Sequence, residues 1–151
     1  MHRINPQLVE REVRVAVVGA GGTGSQVVTA LAQLNHALTA LGHPGGLVVD
    51  VIDDDDVSAS NIGRQMFYPA DLGQPKAEVL VHRVNMAMGT KWRAIVARLA
   101  AGDELPHDIV IGCVDTRVDR VDSNHLTKLW KYKQCCGYNK WIPHQITICG
   151  G

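Results

Sequence analysis

The sequence predicts an α/β chain in three layers, a mainly parallel sheet with helices on its faces, and three observations predict it. The β-branched run Val13-Arg14-Val15-Ala16-Val17-Val18 leads directly into Gly19-Ala20-Gly21-Gly22-Thr23-Gly24. Apolar residues at helical spacing follow the glycines. A second apolar run, Leu47-Val48-Val49-Asp50-Val51-Ile52, then ends in an acid, Asp53. A strand, a glycine turn, a helix and a parallel strand form the nucleotide-binding half of a Rossmann-like fold.

Each element has a local cause. The run 13–18 suits a strand buried on both faces. Val27, Leu31, Leu34, Leu38 and Leu41 recur at i, i+4, i+7, i+11 and i+14 and predict one buried face of a helix that ends at Gly42-His43-Pro44-Gly45-Gly46. A polar loop follows Asp53. Gln74-Pro75-Lys76 then opens a second helix, with Pro75 near its first position and Ala77, Val81, Val84 and Met88 as its buried stripe. Residues 92–98 and 108–114 read as strands. Thr116 and Asp119 are spaced as a helix-capping pair, predicting a third helix to about Lys131. Beyond it, residues 131–141 lose all periodicity, and Ile146-Thr147-Ile148 reads as a last short strand. The expected division is a nucleotide-binding domain over 1–130 and a distinct tail over 131–151.

Composition narrows the function. A chain of 151 residues suits one core. Fifteen Lys plus Arg balance fifteen Asp plus Glu, so no basic footprint for nucleic acid or an anionic membrane is present. No apolar stretch approaches membrane-spanning length and the first residues hold no signal-peptide core, so a cytoplasmic protein is expected. Cys113, Cys135, Cys136 and Cys149 contain no C-x-x-C pair and are expected as free thiols.

The polar residues carry the chemistry. In a turn between strand and helix, Gly19, Gly21 and Gly24 supply the G-x-G-x-x-G pattern, and Gly22 adds to it. Such a turn lets backbone N–H groups and the helix dipole meet a phosphate. Asp53 stands where a carboxylate accepts hydrogen bonds from ribose hydroxyls, with Asp55 as a supporting acid, and that role is shared by NAD and ATP sites. Asn61, Arg64 and Lys76 are expected to orient and neutralise phosphates, as a catalyst of transfer at phosphorus requires. Asp115, at the end of another parallel strand, is the expected Mg²⁺ ligand.

The blocks Val-Val-Gly-Ala-Gly-Gly-Thr-Gly-Ser (17–25), Ile-Asp-x-Asp-x-Val-x-x-Ser-Asn-x-x-Arg-Gln (52–65), Gly-Gln-Pro-Lys (73–76) and Cys-x-Asp (113–115), with Arg120 after them, resemble the ThiF/MoeB/HesA family of adenylating domains. That resemblance implies attack of a carboxylate, the C-terminus of a small ubiquitin-like or sulfur-carrier protein, on the α-phosphorus of Mg·ATP. The products are an acyl adenylate and pyrophosphate. It assigns Asp53 to the ribose, Asn61, Arg64 and Lys76 to the phosphates and Asp115 to Mg²⁺. It also implies a homodimer, and further strands beyond those present here, so the fold is expected in a C-terminally shortened form. Two other readings stand beside it: a non-catalytic ATP-binding remnant of the family, and an NAD-dependent oxidoreductase domain, which would leave Arg64 and Lys76 without a task.

Overall fold

The computed structural model describes residues 6–100, 103 and 105–114. Four strands, β1 (Val13–Val18), β2 (Leu47–Ile52), β3 (Arg93–Ile95) and β4 (Ile109–Gly112), form one sheet in the order β3-β2-β1-β4. Every pairing is parallel. Helix α1 (Gln7–Glu10) precedes β1, α2 (Gly22–Ala40) links β1 to β2, and α3 (Lys76–Met88) links β2 to β3. The order runs outward from β1 to β3 and then returns to the other side of β1 with β4. That reversal places a switch point between β1 and β4, where open α/β sheets bind ligands.

Alternation along the strands separates two faces. Val13, Val15 and Val17 of β1, with Leu47, Val49 and Val51 of β2, join one core with Val28 and Ala32 of α2 and Val81 and Val84 of α3. Asp50 projects from the opposite face and is buried there. The described residues thus build the sheet and one helical layer of the Rossmann-like α/β fold. The predicted helix to Lys131, the strand at 146–148, the tail over 131–151, Asp115 and Cys135, Cys136 and Cys149 lie outside them.

Helix α2 runs where the glycines and the 42–46 cluster place it, but its buried face differs from the leucine stripe. Gly24, Ser25, Val28 and Ala32 are buried, whereas Leu34 is 48% and Leu41 85% exposed. Val27, Leu31 and Leu38 pack only partly against the core. The cause is close approach. A Cβ on Gly24 would stand 1.8 Å from the Gly19 carbonyl oxygen, so the turn draws the helix in on its small residues and rotates the leucines away from the sheet.

In α3, Ala77, Val81 and Val84 are buried as predicted, joined by Val79 and Leu80. Met88 is exposed, because the helix ends there on the left-handed Gly89. The strand predicted over 92–98 contracts to Arg93–Ile95. Trp92 turns into the core instead, its Nε1–H donating to the Leu47 carbonyl at 3.0 Å. The strand predicted over 108–114 contracts to Ile109–Gly112, because the Asp108 carboxylate accepts from the Arg14 N–H and the Arg11 guanidinium. No described helix is long and apolar enough to cross a membrane.

Candidate nucleotide site

The carboxyl ends of β1, β2 and β4 meet at the glycine turn. Gly19 N–H donates to the Ile52 carbonyl and Cys113 N–H to the Val18 carbonyl, which fixes the three strand ends in register. The glycines divide by task. Gly19 has φ of 94°, and a Cβ there would meet the Cys113 backbone at 2.9 Å, so Gly19 and Gly24 are demanded by the fold itself. At Gly21 the nearest neighbour of an added Cβ is Gln65 Nε2 at 3.8 Å, and at Gly22 it is the Arg64 carbonyl at 4.0 Å. Packing asks little of those two. Their backbone is open to close approach, and no side chain caps the first turn of α2.

Asp53 is tied into the turn. Its carboxylate accepts the Ala20 N–H through Oδ2 and the Asp55 N–H through Oδ1. Each oxygen keeps a lone pair for a ribose hydroxyl. The loop 55–57 then pairs antiparallel with the entry to α3. Asp56 bridges Pro75, Val57 N–H donates to the Gln74 carbonyl, and Lys76 N–H donates to the Asp55 carbonyl. This pairing joins two sequence blocks that lie about twenty residues apart. It sets Lys76 Nζ 2.8 Å from Asp55 Oδ2.

Between these blocks the loop 58–72 is fastened to both helices. Phe67 is buried in the core, Met66 N–H faces Ser25 Oγ, and Arg83 of α3 donates to the Met66 carbonyl and the Asp71 carboxylate while stacking on Tyr68. Asn61 is buried, and its Oδ1 accepts both the N–H and the hydroxyl of Ser58 at 2.9 Å. That oxygen shapes the loop, and the amide Nδ2 is the donor left over. Arg64 is exposed. Its Nε donates to the Ser60 carbonyl, and the two terminal nitrogens have no partner among the described residues.

Gln65 was not singled out by itself, yet its amide lies beside Gly21 and its Oε1 is buried with no hydrogen-bond partner among the described residues. The signal was its place next to Arg64. Cys113, at the end of β4, is a free thiol that burial pushes up to about 11, so it is no nucleophile at neutral pH. A groove of about 770 Å³ on the outer side of α3, lined by Asp71, Glu78, His82 and Met86 among others, includes none of the glycines of the turn, Asp53, Asn61, Arg64 or Lys76.

Fold and site together define a Rossmann-like α/β domain whose carboxyl edge presents a bare glycine turn flanked by an arginine and a buried lysine. The chain belongs to the ThiF family, whose sequence model matches residues 5–137. Over 119 residues it is 33% identical to the adenylyltransferase and sulfurtransferase UBA4 of Yarrowia lipolytica, a match covering 74% of this chain and 27% of that protein. It is 37% identical over 79 residues to the tRNA threonylcarbamoyladenosine dehydratase of Haemophilus influenzae, covering 50% of this chain and 26% of that one. The chain thus spans about a quarter of the length of these two relatives. Among solved structures, the Escherichia coli tRNA N6-threonylcarbamoyladenosine dehydratase TcdA bound to AMP superposes with a TM-score of 0.62 at 23% identity, covering 89% of this chain and 49% of that one. E. coli MccB with MccA also gives 0.62, at 18% identity over 91% of this chain and 37% of that one. These two likenesses concern the fold.

Proposed function

We propose that this chain carries the nucleotide site of an ATP-dependent adenylyltransferase that activates the C-terminal carboxylate of a small ubiquitin-like or sulfur-carrier protein, giving an acyl adenylate and pyrophosphate. The observation that carries this reading is that two cations attach to the glycine turn with donors unspent among the described residues: Arg64, whose carbonyl lies beside Gly22, and Lys76, joined to Ala20 through Asp55 and Asp53. A dinucleotide used for hydride transfer gives such a pair no work, whereas a triphosphate needs them for charge that shifts during transfer at phosphorus. Relatives support it by their own activities, an adenylyltransferase and sulfurtransferase and the catalytic subunit of a NEDD8-activating enzyme. Structures of TcdA in complex with AMP and with ATP support a nucleotide as the ligand.

In this reading the N–H groups of the glycine turn and α2 hold phosphate, and Asp53 takes the ribose. Arg64, Lys76 and the Asn61 amide orient the phosphates, and a carboxylate nucleophile, already ionised at neutral pH, needs no general base. The edge carries the hard oxygen donors that Mg²⁺ takes. The Asp53, Asp54 and Asp55 carboxylates stand within 4.8 Å of one another, with Asp53 and Asp55 also engaged by Ala20 and Lys76, and the family resemblance assigns the ion to Asp115, which lies outside the described residues. Mg²⁺ would supply charge neutralisation at the phosphates. A homodimer belongs to the same reading, and sedimentation equilibrium of the chain checks it, a monomer at micromolar concentration counting against it.

Titration calorimetry with ATP and with NAD tests the nucleotide, and preference for NAD sinks the proposal. ATP–pyrophosphate exchange with candidate carrier proteins tests the chemistry. Exchange lost in Arg64→Ala and Lys76→Ala is the expected result, and absence of exchange with every carrier favours a binding remnant.

A further inference from the structure

A buried ammonium is costly unless a carboxylate pairs with it, and Lys76 is buried. Its partner is Asp55, which holds it twice: the side-chain Oδ2 lies 2.8 Å from Nζ, and the backbone carbonyl accepts the Lys76 N–H at 2.9 Å. Asp55 is held in turn, its own N–H donating to Asp53 Oδ1 at 2.9 Å, while Asp53 Oδ2 accepts the Ala20 N–H of the glycine turn. A continuous run of hydrogen bonds therefore connects the glycine turn to the first residue of α3. One of the three ammonium donors is spent on Asp55, and the other two have no partner among the described residues.

We infer that Asp55 is a positioning residue that acts on the nucleotide's phosphates through Lys76 and does not itself touch the nucleotide. A carboxylate only accepts hydrogen bonds at neutral pH and repels phosphate, so direct contact between the two is unfavourable. Its place beside a buried cation gives it the other role. It fixes the direction of the ammonium, so the unspent donors face the glycine turn without reorganisation when the phosphates arrive. This rests on the nucleotide reading above.

The test is ATP affinity by titration calorimetry on the full chain in Asp55→Asn, Asp55→Glu, Lys76→Ala and the Asp55→Asn/Lys76→Ala double variant, with melting temperature as a folding control. Asp55→Asn is expected to weaken ATP about tenfold, the scale of one lost charge-assisted hydrogen bond. Asp55→Glu should recover most of that loss. In the double variant, affinity should be no lower than in Lys76→Ala alone, because Asp55 has nothing left to position. Unchanged or tighter ATP binding in Asp55→Asn overturns the inference, as does a loss that adds fully to that of Lys76→Ala. If Lys76→Ala and Arg64→Ala both leave ATP binding intact, the nucleotide reading itself has failed, an outcome distinct from the failure of Asp55→Asn alone.

Discussion

Two ion pairs in this molecule are mirror images. On the face of β2 opposite α2 and α3, Asp50 is the buried partner, its side chain 3% exposed, and Arg93 is 63% exposed. At the carboxyl edge Lys76 is the buried partner, 8% exposed, and Asp55 is 67% exposed. Asp50 is closed on itself: both carboxylate oxygens accept from Arg93, and Oδ2 also accepts from His107 Nε2 at 3.0 Å. That cluster fastens the connection before β4 onto the sheet and, among the described residues, leaves the buried carboxylate one unused lone pair, on Oδ1. Lys76 is open, since only one of its donors is used among the described residues. The comparison teaches that the sign and saturation of the buried partner, more than the presence of a salt bridge, separate a structural pair from a functional one.

The largest expected effect breaks the first pair. Asp50→Ala leaves the buried His107 Nε2 without its acceptor, and the Nδ1 already lacks a partner among the described residues, so the loss should cost about 2 kcal/mol of stability, the scale for a buried polar group left unsatisfied. Urea denaturation checks this, and ATP affinity measured well below the melting temperature should be unchanged. A loss under about 1 kcal/mol, by the same scale, would show that the cluster is not a structural clasp.

Next comes the converse at the edge. Lys76→Ala leaves behind a carboxylate that water can solvate, so stability should change by no more than about 1 kcal/mol. ATP affinity should fall by about ten- to a hundredfold, the scale of a charge-assisted contact to phosphate. If instead stability collapses and affinity holds, the two pairs are of one kind and the mirror is false.

How much of this was legible in the sequence follows the range of each interaction. The places of the glycine turn, Asp53 and Lys76 in the fold were legible because their spacing is set by a strand, a turn and a helix start, all local in the chain. The link between Asp55 and Lys76 was not, because it arises from antiparallel pairing of Asp56 with Pro75, which no periodicity announces. Asp50 and His107 are 57 residues apart, and Asp50 reads as an interruption of an apolar strand until the sheet brings Arg93 alongside it in register. Asn61 reads as a ligand contact from the resemblance, and the structure gives its oxygen a second task in holding Ser58. The leucines of α2 misled because periodicity marks an apolar face and does not say how closely a helix lies; the steric demand of Gly24 decided that.

A smaller effect sharpens the comparison through pH. Burial drives the Asp50 carboxyl up, but hydrogen bonds from Arg93 and His107 outweigh it and hold the group below the ordinary carboxylate range. A carboxylate with a depressed folded-state pKa contributes stability above its unfolded value, about 3.9, and loses it as pH falls through the folded value. Melting temperature should therefore drop on acidification below about pH 4. Asp50→Asn should drop less over the same window. Part of the limb must survive in that variant, because the Arg11 guanidinium holds the Asp108 carboxyl low as well. An acid limb identical in the two proteins would place its origin wholly outside the cluster.

The smallest effect is expected from Arg93→Ala, and it decides what the exposed partner of a mirrored pair contributes. Arg93 lies mostly in water, so its removal releases a solvated cation and leaves Asp50 with His107 as its remaining partner. Stability at neutral pH should fall by clearly less than in Asp50→Ala, and the acid limb should shift upward, because a carboxylate with one partner fewer protonates sooner. Melting curves from pH 3 to 7 separate these outcomes. Should Arg93→Ala cost as much as Asp50→Ala, the exposed cation would be the anchor. Burial would then no longer tell which member of a pair the fold depends on, either here or at Lys76.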